Sequence, residues 1–349
     1  MLRPDTPPGS SSCSSILSTA PEPSRETLAP GGIEVAVGQA RRLASVKQSP
    51  RHPDTDVTPG GQRHPDRNEI LLGDNLSLLG SFADEAFQLI YLDPPFNTGK
   101  SQTRKTLRTV PDKDGDRIGF QGRRYRTRLL EESSYRDSFE DYLAFLAPRL
   151  REAHRLLRGD GTLYFHIDYR EAHYCKLLLD EIFGREGFLN EIIWAYDYGA
   201  RSKRRWPAKH DTILVYVKDP AAYFFDSTEV DREPYMAPGL VTPEKAARGK
   251  LPTDVWWHTI VPTAGHEKTG YPTQKPEGII RRMVQASTRP GDWCLDFFAG
   301  SGTLGAVAAQ LGRRYVLIDA NPEAVRIMRE RLGATGGDVG AFGACTTSS

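Results

Sequence analysis

Short apolar runs alternate with amphipathic helical patterns between residues 69 and 331, and this alternation restricts the folds open to the chain. Such an order is typical of an α/β architecture, in which helices cover both faces of a sheet. The runs interpreted as strands are 69–72, 87–92, 161–166, 191–196, 212–217, 293–297 and 315–318. The segments interpreted as helices are 139–157, 172–183, 276–287, 302–311 and 322–331. The sequence therefore predicts an α/β fold built on a doubly wound mixed sheet.

Both ends of the chain differ in composition from this alternating region. Residues 1–66 hold ten of the 25 prolines, a serine-rich run and no aromatic residue. A segment of this composition buries too little apolar surface to offset the entropy lost on ordering, so we expect a disordered tail. Residues 336–349 are rich in Gly, Ser and Thr and are expected to form a flexible tail. The folded domain is therefore expected at residues 67–335.

The composition excludes several classes of protein. No run approaches the roughly 18 consecutive apolar residues that a membrane span requires, and residues 1–15 lack an apolar signal core. The cysteines, Cys13, Cys175, Cys294 and Cys345, form no CxxC pair and no Cys/His ligand pattern. This spacing argues against a disulfide scaffold and a structural zinc site. We expect a cytoplasmic protein that binds no metal and no membrane.

Positive charge is concentrated in two stretches, although the whole chain carries a formal net charge of only +1. Residues 100–128 hold ten Lys or Arg against three Asp, a local charge of +7. The second stretch contains Arg201, Lys203, Arg204 and Arg205. A single charge run is often a solvated loop. Two such runs in a nearly neutral chain favour a surface that faces a polyanion.

A glycine-rich strand–turn–helix segment lies near the end of the domain. Gly300, Gly302 and Gly305 fit the pattern G-x-G-x-x-G, and Asp319 ends the next predicted strand. Glycines let a ligand approach the backbone closely, and the carboxylate can accept hydrogen bonds from both hydroxyls of a ribose. The pattern alone leaves open a dinucleotide site or a tight turn without a ligand. Asp296, just before the glycines, favours a cationic ligand with a free amino group over a pyrophosphate.

The segment Asp93-Pro94-Pro95-Phe96 follows an apolar strand and predicts a rigid edge of hydrogen-bond acceptors. The two prolines stiffen an extended backbone and have no N–H, which leaves the Asp93 carboxylate and the Pro94 carbonyl as acceptors. Two acceptors that hold both N–H bonds of an exocyclic base amine favour a tetrahedral nitrogen with a free lone pair. The Phe96 ring can stack on a base that has flipped out of a duplex. A simple Pro-Pro strand terminator is the alternative interpretation.

Together, Asp-Pro-Pro-Phe at 93–96 and Phe-Ala-Gly-Ser-Gly at 298–302 resemble the motifs of amino-methylating DNA methyltransferases of the adenine-N6 and cytosine-N4 type. The tetrapeptide precedes the glycine loop, an order that resembles the permuted β group of these enzymes. The resemblance covers residues 68–332. It implies a class I S-adenosylmethionine-dependent methyltransferase fold with circularly permuted motif order and a target-recognition region inserted at about 198–270.

The resemblance also implies roles for individual residues. The catalytic residues would be Asp93, Pro94, Pro95 and Phe96. The residues that would bind S-adenosyl-L-methionine are Asp74, Lys275, Asp296, Phe298, Gly300, Ser301, Gly302, Thr303 and Asp319. Asp74 resembles the acidic residue that reads the cofactor's adenine, and Lys275 heads a helix that closes over its methionine end. No metal is implied.

Double-stranded DNA is the partner that the resemblance implies. A cognate restriction endonuclease and a homodimer are left open. We expect the basic stretch 100–128 to be a mobile loop that closes on DNA phosphates, because it follows the tetrapeptide directly.

Trp256 and Trp257 are interpreted either as a small core of the recognition region or as a wedge for DNA. Tyr196 and Tyr198 are candidates to line a base pocket.

The first residue of the tetrapeptide bears on which base is methylated. The adenine-N6 enzymes that the chain resembles carry Asp-Pro-Pro-Tyr/Phe, whereas the cytosine-N4 enzymes usually carry Ser-Pro-Pro-Tyr/Phe. Asp93 therefore favours adenine, with cytosine N4 as the alternative. A nicotinamide-dependent oxidoreductase would explain the glycine loop but would leave residues 93–96 and 273–276 without a role. RNA and protein methyltransferases usually carry Asn-Pro-Pro-Tyr downstream of the loop, the reverse of the order here.

Overall fold

The computed structural model describes residues 61–96, 100–111, 117–118, 124–137, 141–199, 201–262 and 265–333. Most of the two expected tails, residues 1–60 and 334–349, lies outside this part of the chain. Arg63, which precedes the expected domain boundary at residue 67, donates two hydrogen bonds of 2.6 Å to the buried carboxylate of Glu69. The packed part of the chain therefore extends at least to Arg63.

The described strands form one large mixed sheet and one small antiparallel sheet. They are β1 (Glu69–Leu72), β2 (Phe87–Leu92), β3 (Lys100–Pro111), β4 (Arg117–Ile118), β5 (Arg124–Asp137), β6 (Leu157–Ile167), β7 (Phe188–Ala195), β8 (His210–Val217), β9 (Val255–Trp257), β10 (Trp293–Asp296) and β11 (Arg314–Asp319). The eight-stranded sheet has the order β1-β11-β10-β2-β6-β8-β7-β9, and the three-stranded sheet has the order β3-β5-β4. In the large sheet, β8 runs antiparallel to both of its neighbours, and the other pairs are parallel.

Helices cover both faces of the large sheet. The described α-helices are α1 (Asn75–Leu79), α2 (Tyr142–Leu156), α3 (Ala172–Phe183), α4 (Pro243–Arg248), α5 (Glu277–Ser287), α6 (Thr303–Gln310) and α7 (Pro322–Gly333), and of these α4 buries no residue. One apolar core contains residues of α5, α6 and α7, and the other contains residues of α1, α2 and α3. Along β2, Leu89 belongs to the first core and Ile90 to the second, because successive side chains of a strand point to opposite faces. The predicted doubly wound mixed sheet is confirmed.

The prediction that residues 100–128 form a loop is wrong for the backbone that the structure describes. β3 and β5 pair antiparallel along their length, from Lys100 opposite Asp137 to Pro111 opposite Tyr125. Thr and Val, which favour extended backbone, are interspersed with the basic residues of this stretch, and the charge run obscured that signal.

The order of the large sheet brings the candidate site residues to one edge. The strands β1, β11, β10, β2 and β6 are parallel, so their carboxyl ends meet at the same edge, where sheets of this kind bind ligands. Asp93 follows β2, Asp296 ends β10 and Asp319 ends β11. Because β10 lies between β11 and β2, Asp296 stands between the other two carboxylates along the edge.

Every helix in the described ranges is too short or too polar to cross a membrane.

The adjacent tryptophans of β9 have different environments. Trp256 is buried in the apolar core, and its indole N–H donates to the Thr253 carbonyl at 2.7 Å, whereas Trp257 is 72% exposed. Trp256 is therefore a core residue, and only Trp257 is available to a partner.

We expect Trp256→Ala to lower the free energy of unfolding by about 3–5 kcal/mol, the usual cost of deleting a buried tryptophan side chain. The matched variant Trp257→Ala should change it by no more than about 0.5 kcal/mol, because an exposed side chain packs against little of the folded protein. Urea denaturation followed by circular dichroism measures both. Equal reductions in the two variants would contradict this difference in burial.

Candidate active site

The tetrapeptide places a buried carboxylate oxygen without a partner at the edge of the sheet. Asp93 accepts a hydrogen bond from the Lys275 ammonium through Oδ2. The other oxygen, Oδ1, is buried and has no hydrogen-bond partner among the described residues. Downstream, the Tyr142 hydroxyl donates to the Pro95 carbonyl at 2.6 Å and anchors the segment to α2. Leaving a buried acceptor unpaired costs stability, so Oδ1 is open to a donor that the described residues do not supply.

An aromatic surface adjoins that carboxylate. The ring centroid of Phe96 lies 5.9 Å from that of His166, and the Lys275 ammonium lies over the Phe96 ring, 4.9 Å from its centroid. His166 is fully buried at the end of β6 and packs edge-on against the ring of Trp194. The carboxylate and the ring are thus presented side by side, as an amine on a stacked base would require.

A buried polar network fixes His166. The Tyr91 hydroxyl lies 2.9 Å from Nδ1, and Asp211 Oδ2 lies 3.2 Å from Nε2. Tyr196 donates to the other oxygen of Asp211 at 3.1 Å. Burial alone would raise the pKa of Asp211, but the hydrogen bond and the charge of His166 hold it below its ordinary value. Tyr196 was predicted from sequence to lie near a base pocket, but Asp211 was given no role, because nothing in the strand pattern marks it.

The glycine loop adopts a backbone that requires glycine. Gly300 and Gly302 have φ values of +51° and +72°, in the left-handed region. A Cβ at Gly302 would lie 2.8 Å from Met328 Cγ, and one at Gly300 would lie 3.1 Å from a ring carbon of Tyr271. The turn is therefore closed to other residues for steric as well as conformational reasons.

Asp319 holds the glycine loop as well as facing it. Its Oδ2 accepts a hydrogen bond from Gly300 N at 2.8 Å, and its Oδ1 accepts one from Asn321 N at 2.8 Å. Burial raises the pKa of Asp319 above its ordinary value, although these two hydrogen bonds oppose the rise. The carboxylate that was assigned from sequence to a ribose is therefore also a support for the loop.

Asp296 is the most deeply buried carboxylate of the site. Its Oδ1 accepts a hydrogen bond from Phe298 N at 2.9 Å. Burial raises the pKa of Asp296 well above its ordinary value, and the nearby charges of Asp93 and Asp319 raise it further, whereas Lys275 opposes the rise. A cationic ligand at this position would offset the repulsion among the carboxylates of Asp93, Asp296 and Asp319. The three carboxylates therefore fit a ligand with a positively charged end.

Ser301 and Thr303 connect the loop to the start of α5. Both are buried, with their hydroxyl oxygens 3.2 Å apart, and Thr303 Oγ1 donates to the Lys275 carbonyl at 3.1 Å. Arg331 donates to the Ser301 carbonyl at 3.1 Å and pairs with Glu277 at 2.6 Å. Lys275 thus bridges the two motifs, with its backbone bound to the glycine loop and its side chain bound to the tetrapeptide.

Asp74 lies at the rim of the site, after β1. Its carboxylate caps α1 by accepting from Ser77 N at 3.1 Å and pairs with Arg149 at 2.9 Å. Arg149 also donates to Asn75 Oδ1 at 2.7 Å, and Asn75 donates to the Phe297 carbonyl at 2.8 Å.

Arg149 and Asn75 were not predicted from sequence. The available signal was an arginine within the apolar face of α2, between Leu146 and Leu150.

Phe298, assigned to the cofactor, is partly buried, and its ring centroid lies 6.2 Å from that of Phe145. Among the described residues, no group of three or more His, Cys, Asp or Glu side chains is arranged to hold a metal ion.

Comparisons with known proteins identify a family for the chain. Residues 87–330 match the sequence model of a family described as DNA methylase. The chain is 31% identical over 271 residues to DNA adenine methyltransferase YhdJ of Escherichia coli K12, covering 75% of this chain and 82% of that protein. It is 29% identical over 265 residues to the type II methyltransferase M.HpaI of Haemophilus parainfluenzae, and the match covers 75% of this chain and 73% of that protein. The solved structure of the cytosine-N4-specific PvuII DNA methyltransferase shares the fold, with a TM-score of 0.52 and 16% sequence identity. The match covers 76% of this chain and 86% of that chain.

Proposed function

The chain belongs to the DNA methylase family, and we propose that it transfers a methyl group from S-adenosylmethionine to the N6 amino group of a flipped-out adenine in double-stranded DNA. The observation that carries the proposal is the buried Oδ1 of Asp93, which has no partner within the described ranges, beside the Phe96 ring. A donor N–H at this oxygen satisfies the orphaned acceptor, and a base plane on the ring brings such an N–H into reach.

Asp93 prepares the amine for attack. An exocyclic amine is a poor nucleophile because its lone pair is delocalised into the base. A carboxylate that accepts one N–H draws the nitrogen toward a tetrahedral geometry, in which the lone pair is available to form the new N–C bond. The methylated nitrogen is then cationic, and the adjacent Asp93 carboxylate is placed to take its proton.

The carboxylates at the sheet edge fit S-adenosylmethionine. The cofactor supplies an electrophilic methyl group on a sulfonium, and the S–C electron pair stays with sulfur on transfer. Asp319 would hold the ribose, and Asp74 would lie toward the adenine. Asp296 would face the cationic methionine end, where positive charge would oppose the burial and the repulsion that raise the pKa of this carboxyl. The left-handed turn at Gly300 and Gly302 keeps the loop backbone open to the ligand.

The choice of adenine rests on the acid at the start of the tetrapeptide. Asp93 stands where cytosine-N4 enzymes of this family usually carry serine. The similarity to a relative named as an adenine methyltransferase points the same way. The fold itself does not select the base, because a cytosine-N4-specific enzyme shares it.

The recognition region 198–270 and the basic stretch 100–128 are the proposed DNA-binding surfaces. Arg201, Lys203, Arg204 and Arg205 are all exposed, and Trp206 beside them is 95% exposed. Cations of this kind neutralise phosphates, whereas the sequence is read by contacts to base edges. A cognate restriction endonuclease and a homodimer stay hypotheses drawn from the resemblance.

We expect a variant with Ala at residues 123, 124, 126 and 128 in place of Arg to weaken DNA binding about equally for target and non-target duplexes. For every phosphate that an arginine no longer neutralises, the salt slope of binding should fall by about 0.9. Arg124, Arg126 and Arg128 lie on β5, and Arg123 lies outside the described residues. Fluorescence anisotropy at several salt concentrations measures the slope. An unchanged affinity and slope would show that the stretch is solvated surface.

Long-read sequencing of host DNA tests the proposed function. The gene is expressed in a host that lacks its own adenine methylation, with Asp93→Ala as the inactive control. We expect methylated adenines at one short sequence motif with the wild type and none with the variant. Absence of methylated bases in both, with soluble folded protein present, would contradict the proposal.

A further inference from the structure

The side chain of Lys275 occupies part of the space in which the target base is expected to stack. Its ammonium donates to Asp93 Oδ2 and lies over the Phe96 ring, 4.9 Å from the centroid. We propose that Lys275 is a positioning residue that covers the base site of the free protein and makes base binding depend on the cofactor. This inference rests on the proposed function, because it assumes that a base amine binds Asp93.

The lysine and the base compete for the same space. The ammonium pairs with Asp93 Oδ2 and lies over the face of Phe96, and a base whose amine donates to Asp93 Oδ1 would stack on that face. A planar base stacked on the ring excludes the ammonium from the space above it. In the free protein the ammonium therefore keeps the Asp93 carboxylate paired, and it must withdraw before a flipped base can be held.

Only the side chain of Lys275 is free to make this movement. Its backbone carbonyl accepts from Thr303 Oγ1 at 3.1 Å, and α5 begins two residues later at Glu277. The preceding residue, Gln274, is buried, and its side-chain oxygen accepts from both the backbone and the hydroxyl of Thr269 at 2.9 Å. The backbone of Lys275 is thus fixed against the glycine loop, while the ammonium at the end of its side chain is held by Asp93.

The charges of the site couple this movement to the glycine loop. Asp296 ends β10, which lies beside β2, so the ammonium that pairs with Asp93 also lies near the buried carboxylate of Asp296 and opposes the rise in its pKa. A cationic ligand beside Asp296 would weaken the attraction between this carboxylate and the ammonium, and it would repel the ammonium. Loading the loop would therefore favour withdrawal of Lys275, and by linkage a bound base would favour loading of the loop.

Binding measurements with Lys275→Met test the coupling without turnover. The probes are a duplex carrying the motif found by sequencing, a non-target duplex, and sinefungin, a cationic cofactor analogue that transfers no methyl group. In the wild type, sinefungin should tighten binding of the target duplex by at least about tenfold, within the usual range of coupling between sites. In Lys275→Met the sinefungin-free affinity should already be raised, and the coupling should fall below about threefold.

Lys218→Met is the matched control, because Lys218 also forms an ion pair, with Glu85 at 3.1 Å, and its ammonium donates to the Leu157 carbonyl at the amino end of β6, opposite the edge that carries the site. It should keep the wild-type coupling. Lys275→Gln, which removes the charge but keeps a polar end, should give an intermediate value and serves if the Met variant unfolds in a thermal melt.

Two results would overturn the inference. One is a coupling in the folded Lys275 variants equal to that of the wild type, and the other is a wild type whose affinity for the target duplex does not depend on sinefungin. Either can occur in an enzyme that methylates DNA normally. A wild type that methylates no DNA would instead overturn the proposed function, so the two failures are distinguishable.

Discussion

Asp93→Ala is expected to lower the rate of methyl transfer at least about 10²–10³-fold, the usual cost of losing a polar group that is aligned with the reacting atoms. Affinity for S-adenosylmethionine should remain close to that of the wild type, because the hydrogen bonds that Asp319 and Asp296 make to the loop do not involve Asp93. Transfer of a labelled methyl group to DNA measures the first quantity, and calorimetry with the cofactor measures the second.

The control for this variant is Asp84→Ala, which removes an exposed carboxylate that is paired with Arg155 at 2.6 Å and precedes the amino end of β2, opposite the edge that carries the site. It should retain wild-type activity. Activity of Asp93→Ala within about tenfold of the wild type would contradict the catalytic assignment, because the predicted reduction is larger by at least one order of magnitude.

Asp319→Ala is expected to weaken binding of S-adenosylmethionine by about 1–3 kcal/mol, the scale for hydrogen bonds to charged groups. The variant lacks both the proposed ribose acceptor and the two hydrogen bonds that hold Gly300 N and Asn321 N. Part of the effect should therefore appear as lower stability of the free protein. Calorimetry and thermal denaturation separate the two effects.

Asp319→Asn is the matched variant, because its amide keeps one oxygen that can accept from a backbone N–H. It should retain more stability than Asp319→Ala while still binding the cofactor more weakly than the wild type does. An affinity in Asp319→Ala equal to that of the wild type would mean that the loop holds its ligand in another orientation.

The positions of the main strands followed from sequence, because buried strands leave nearly continuous apolar runs. The run at 87–92 is one example, since five of its six residues are apolar and all six are buried. The strand β9 was not predicted, because its three residues are too short for a pattern to be recognised. Its alternation nevertheless explains why Trp256 points inward and Trp257 points outward.

The contacts of the site could be predicted only in part. The carboxylates at the strand ends were identified because strand termini of such sheets meet at one edge. The pairing of Lys275 with Asp93 joins residues 182 positions apart, and no local pattern specifies which side chains meet across that distance. The same holds for Arg149 in α2 and Asp74 just before α1, which are 75 positions apart.

Nucleoside mass spectrometry of methylated DNA tests the central claim most directly. Duplex DNA is incubated with the purified protein and S-adenosylmethionine, digested to nucleosides, and compared with DNA treated with Asp93→Ala. We expect N6-methyldeoxyadenosine with the wild type and none with the variant. N4-methyldeoxycytidine as the product, or N6-methyldeoxyadenosine formed equally by the Asp93 variant, would contradict the claim that Asp93 holds an adenine amine for methylation.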